Sequence, residues 1–134
     1  MHRISGPLLD RIDIHVDIPA VKYKELVDNQ DAESSSAVKL RVEKARKIQQ
    51  QRFKETKIFY NARMNTKFIK KYCVLDEKAK ELLELAMAEL GFSARAYDKI
   101  LKISRTIADL EGCEIILKAH ISEAIQYRNL DKNF

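Results

Sequence analysis

Gly91-Phe92-Ser93-Ala94-Arg95-Ala96-Tyr97-Asp98-Lys99-Ile100-Leu101-Lys102-Ile103-Ser104-Arg105-Thr106-Ile107-Ala108-Asp109-Leu110-Glu111-Gly112 reads as one complete helix carrying its own start and stop. Ser93 is a residue type whose side-chain oxygen accepts from the free amides of a first helical turn. Tyr97, Ile100, Leu101, Ser104, Ile107 and Ala108 recur at the helical spacing and mark an inward stripe. Gly112 ends it, because glycine takes the left-handed conformation of a helix terminus without penalty. A helix with one apolar stripe has to bury it against neighbours, so the fold depends on what flanks this segment.

The flanks are helical too. Asp76 caps a segment with Ala79, Leu82, Leu83, Ala86 and Leu90 on one face, ending at Gly91, and a last helix over about 117–128 presents Ile121, Ala124 and Ile125. Upstream, a short helix over Thr66 to Tyr72 follows the polar turn Asn61 to Asn65. The cap run Glu33-Ser34-Ser35-Ser36 opens a longer helix with Val38, Val42, Ala45, Ile48 and Phe53 near one stripe. Before residue 33 the texture changes: Ile14-His15-Val16-Asp17-Ile18 alternates with period two and stops at Pro19, as a strand does. One strand needs partners, and nothing else in the chain alternates, so they are expected upstream in a longer parent protein. Without them the strand is expected to be disordered or refolded against the helices. The fold class is therefore mainly α: a helical bundle over 34–134, with an N-terminal extension over 1–33 bearing one strand.

Bulk properties narrow the function classes. A chain of 134 residues, 46% hydrophobic and 34% charged, supports one domain with a modest core. No apolar run approaches the roughly 20 residues of a membrane-spanning helix, and no signal-like segment opens the chain, so a cytoplasmic protein without membrane partners is expected. Cys73 and Cys113 are far apart, as are His2, His15 and His120, which signals neither disulfide nor metal site; the thiols read as structural. His120 reads as a core-edge histidine.

Charge is uneven. Residues 1–37 hold 4 basic and 7 acidic side chains, residues 38–72 hold 12 and 2, and residues 73–134 hold 9 and 11. The basic middle contains Lys39, Arg41, Lys44, Arg46, Lys47, Arg52, Lys67, Lys70 and Lys71, with Tyr60 and Tyr72 interleaved. Such a surface suits a phosphate backbone, and DNA is a candidate partner. A solvated helix face or a subunit contact accounts for it equally well, because the charges fall on several faces.

Catalytic machinery is sparse. A phosphate-cradling loop concentrates glycines before Lys and Ser or Thr, whereas Gly6, Gly91 and Gly112 are the only glycines and none precedes such a pair. No strand ends in paired acids, and no nucleophile elbow or zinc-protease pattern is present. ATP hydrolysis by this chain alone is not expected.

Two stretches carry more. Arg3-Ile4-Ser5-Gly6-Pro7-Leu8-Leu9-Asp10-Arg11-Ile12-Asp13 runs straight into the predicted strand. By residue type alone, Asp10, Arg11 and Asp13 form an exposed ion-pair network. The segment resembles, however, the stretch after sensor 1 in AAA+ ATPases of the magnesium-chelatase/ComM family, and the Leu-Leu-x-Arg-Phe-Asp segment of minichromosome maintenance helicases. The resemblance implies that Arg11 is the arginine finger, reaching in trans into a neighbour's ATP site, a task that suits a permanently charged, forked guanidinium. The 91–112 stretch is similar to the sensor 2 helix of the same family, which implies that Arg95 contacts the γ-phosphate in cis. Arg95 also stands in a first turn, where a cation is mildly unfavourable for the helix and an anion is welcome. Arg105 is as well explained by an i, i+4 pair with Asp109.

The resemblance covers nearly the whole chain: 1–33 as the end of the AAA+ core and 34–134 as its C-terminal lid. It implies a parent that is an ATP- and Mg-dependent, hexameric ring-forming motor. Its other partners would be the rest of the core and neighbouring subunits, and its work DNA branch migration and natural transformation, as for ComM-type proteins, or metal insertion into porphyrins, as for chelatase relatives, with the match closer to the ComM-type branch. No cofactor is expected on this segment alone. The rival is a freestanding basic helical DNA-binding module.

Overall fold

A computed structural model describes residues 5–28 and 31–128. Two short helices come first, α1 (Gly6–Leu9) and α2 (Tyr23–Val27), then α3 (Ser35–Phe53), a single 3-10 turn at Asn61–Arg63, α4 (Thr66–Tyr72), α5 (Glu77–Leu90), α6 (Ala94–Glu111) and α7 (Lys118–Gln126). The helical starts expected from sequence are capped as the residue types require. Ser34, Asn65, Asp76 and Ser93 each accept a backbone N–H from the first turn of α3, α4, α5 and α6. Gly91 and Gly112 close α5 and α6 at φ of 61° and 72°.

α6 is the axis of the bundle, with α3, α4, α7 and the 61–63 turn packed on it and α5 against α7. Its stripe is buried through Ile100, Leu101, Ser104, Ile107 and Ala108. In the first turn Ala96 takes the inward slot, and the Tyr97 ring stands at the edge, 39% exposed. Ile100, Leu101, Ile116, Ile121 and Ala124 join Phe53, Ile69 and Leu83 in one core. Tyr72 meets the Phe53 ring edge-on at 5.5 Å, with Phe68 tilted 6.3 Å away, fastening α4 to the end of α3. Between α4 and α5, Val74 and Asp76 pair through their backbones with Ile116, an isolated parallel bridge.

Two expectations are corrected. The stripe predicted along α3 is buried only at Ala45 and Phe53; Val38 and Val42 are exposed, because α6 and the 61–63 turn cover just the C-terminal half of the helix. Residues 14–18 form no strand, since no strand among the described residues offers them a ladder. They lie partly refolded on the bundle. The His15 amide donates to the Tyr127 carbonyl at 2.6 Å and its ring Nε2 to Leu9 O at 3.1 Å, while Val16 and Ile18 remain exposed.

The α3–α6 contact is polar at its centre. Asp109, wholly buried, accepts from Arg52 at 2.7 and 2.5 Å and from Asn61 Nδ2 at 2.8 Å, with Arg105 Nε 3.2 Å away. Arg105 therefore forms the expected i, i+4 pair, but inside the protein. Its guanidinium donates to the carbonyls of Tyr72, Glu114 and Cys113, holding the turn after α6. Burial lowers its pKa from the usual arginine value, and Asp109 opposes that shift.

Candidate phosphate-binding groove

The Ser93 hydroxyl accepts from Ala96 N at 3.1 Å and so fixes the start of α6, which sets Arg95 in its first turn, exposed. Arg11 follows α1, where Pro7 at the helix start supplies a preset φ and lacks a donor that would go unused. The two arginines line the same groove, between the N-terminal segment and the outer face of α6 and the end of α7. A smaller hollow beside Gly6, Gly91 and Phe92 is also lined by both. Among the described residues neither guanidinium is engaged by an acceptor.

Other cations of the groove are occupied. Lys99 Nζ donates to Arg11 O at 2.9 Å and pairs with the Asp13 carboxylate, and Lys102 Nζ donates to Ala62 O at 3.3 Å. Asp10, across the N-terminus of α6, accepts from the Ser93 hydroxyl at 3.2 Å and faces Arg128, whose side chain is fully buried. Among the described residues Asp10 and Asp13 do not pair with Arg11, the arrangement residue type alone suggested; both acids face cations of the bundle, and Arg11 lines the groove. Lys99 and Arg128 carry no sequence signal of this task, since their partners lie 86 to 118 residues away in the chain.

The basic block is dispersed. Lys44, Lys47, Lys67 and Lys70 are exposed, but Lys39 pairs with Glu43, Arg41 with Glu33, Arg46 lies 5.3 Å over Tyr60 and Lys71 5.1 Å over Tyr72. Arg52 leaves the set of candidate nucleic-acid contacts, because Asp109 holds its guanidinium inside the bundle.

Glu111, Cys113 and His120 bring three metal-ligating types together, which their spacing had not signalled. His120 is fully buried rather than at the core edge. Its Nδ1 accepts from Leu117 N at 3.0 Å, so the ring proton is on Nε2, 2.7 Å from Glu111 Oε2. A metal on Nε2 would drive that proton onto Nδ1, against the Leu117 N–H. The histidine serves as the cap of α7.

Among the described residues the chain is thus a helical bundle in which two arginines without an acceptor line one groove. The chain belongs to the magnesium chelatase subunit ChlI C-terminal family, whose model matches residues 32–128, while that of magnesium chelatase subunit ChlI matches residues 1–26. It is 42% identical over 96% of its length to competence protein ComM of Haemophilus influenzae, of which it covers 25%. It is 40% identical over 98% of its length to the uncharacterized protein YifB of Salmonella typhimurium, of which it covers 26%, and 38% identical to YifB of Escherichia coli. The chain thus spans about a quarter of the length of the curated relatives it matches.

Proposed function

We propose that this chain is the finger-and-lid part of an ATP-driven AAA+ motor of the magnesium-chelatase/ComM type. Arg11 is the arginine finger, acting across a subunit boundary, and Arg95 is the sensor 2 arginine. The observation that carries this is their shared groove: two guanidiniums without an acceptor among the described residues, one from each side, supply planar, permanent charge for a polyphosphate. Arg95 was expected to serve its own subunit's nucleotide. The common groove favours a single nucleotide addressed by both, held by a neighbour's core.

ATP binding and Mg2+ fall to the rest of the motor. Asp10 and Asp13 face Arg128 and Lys99, so they offer no free carboxylate pair for a hard cation. The motor forms a cytoplasmic hexameric ring and works on DNA, for which the exposed Lys44, Lys47, Lys67 and Lys70 supply a cationic surface. In the full-length enzyme, Arg11→Ala and Arg95→Ala each lower ATP turnover by roughly 1000-fold or more, as loss of an arginine finger does. Turnover at the unmutated rate in both variants overturns the assignment.

A further inference from the structure

Three consecutive carbonyls at and after Arg11 are each held by a cation of the bundle. Lys99 Nζ donates to Arg11 O at 2.9 Å, and Arg128 NH1 donates to Ile12 O at 2.9 Å and to Asp13 O at 3.4 Å. The same two cations face the acids beside them, Lys99 the Asp13 carboxylate and Arg128 Asp10 Oδ1 at 3.6 Å. Asp10 in turn accepts from Ser93, the cap of the helix that carries Arg95. Beyond the three carbonyls, the His15 amide is tied to Tyr127 O.

The loop bearing Arg11 is thus fastened at both ends to the helix bearing Arg95, by side chains from α6 and from the end of α7. The Arg128 side chain is wholly buried, so its contacts are shielded from the competition of water that weakens surface pairs, while Lys99, 17% exposed, meets an Asp13 carboxylate that is 58% exposed. Nothing in the packing of the core requires a lysine at position 99; its hydrogen bonds all go to residues 11 and 13.

The geometry points to Lys99 as a positioning residue, with Arg128 beside it, that locks the Arg11 loop to the Arg95 helix so that both guanidiniums are presented as one rigid pair. This rests on the assignment of Arg11 and Arg95 to ATP given above. A misplacement of about 1 Å at such a site costs on the order of 100-fold in rate, so a lock of this kind is felt in turnover although it touches no phosphate.

The test is steady-state ATP hydrolysis by the full-length protein with Lys99→Met, Lys99→Arg and Asp13→Asn, beside Arg11→Ala, with thermal unfolding measured for each. Asp13→Asn weakens the lock without removing Lys99, and so covers the case in which Lys99→Met fails to fold. Lys99→Met and Asp13→Asn lower kcat by roughly 10- to 100-fold with little change in KM for ATP and a native-like Tm, and Lys99→Arg, which keeps the donors, restores the rate. If Arg11→Ala is inactive while Lys99→Met and Asp13→Asn turn over normally, the lock is refuted and the finger stands. A rate loss in those two variants that only tracks a lower Tm refutes it as well. If Arg11→Ala itself turns over normally, the underlying assignment to ATP has failed.

Discussion

Arg52 closes on Asp109 through two hydrogen bonds of 2.7 and 2.5 Å, tying the end of α3 to the end of α6 across 57 residues of sequence. The carboxylate has no exposure, and Arg105 and Asn61 take up its remaining capacity. Burying such a charge is tolerable only while its partners stay in place.

Asp109→Ala removes the shared acceptor and leaves the Arg105 and Arg52 guanidiniums without their common counter-charge. A loss of about 3 to 5 kcal/mol is expected in denaturant unfolding, with Asp109→Asn intermediate. A loss below about 1 kcal/mol would place Asp109 among ordinary surface pairs.

Burial raises the Cys73 thiol to about 11. The folded pKa lies above the unfolded one, near 9. The associated stability is therefore complete below about pH 9 and is lost as the pH rises towards 11, where only the unfolded chain gains from ionising. Compared with Cys73→Ala at each pH, the unmutated chain loses an extra roughly 2 to 3 kcal/mol over that window. Parallel stability curves for the two proteins would contradict the shift.

Gly91 and Gly112 sit at φ of 61° and 72°, yet an added Cβ meets nothing within 4 Å at either. Alanine there costs only backbone strain, about 1 kcal/mol, and asparagine less. Unfolding of Gly91→Ala and Gly112→Ala checks this, and a cost of several kcal/mol would mean that packing as well as strain is involved.

Ser93→Ala removes the α6 cap and the donor to Asp10 together, whereas Asp76→Ala removes only the α5 cap. Both lose about 1 kcal/mol in unfolding. Only Ser93→Ala is expected to speed amide exchange at His15, whose N–H seals the N-terminal segment to Tyr127. Equal exchange in the two variants would show that Asp10 does not contribute to that seal.

The helices were legible because their signals are local. Ser34, Asn65, Asp76, Ser93 and the two positive-φ glycines act within one turn of themselves, and the Ile100, Leu101, Ile107, Ala108 stripe needs only the helical period. What was not legible depends on distant partners. Alternation at Ile14–Ile18 shows strand character, but strand formation requires a ladder that the described residues lack. Arg52 counted as one more basic residue until Asp109 was found against it, and α2, with no buried residue, left no apolar stripe to read. The groove was half legible. Arg11 and Arg95 stood out by motif, but their meeting in one groove follows from the packing of residues 9–15 on α6 and the end of α7.

That meeting is best tested by a double-mutant cycle on ATP turnover in the full-length enzyme, with Arg11→Ala, Arg95→Ala and the double variant measured together. Arginines serving one nucleotide act as a unit, so the double variant should be scarcely slower than the slower single variant. Losses that multiply, each arginine contributing its full factor independently, would contradict a shared site.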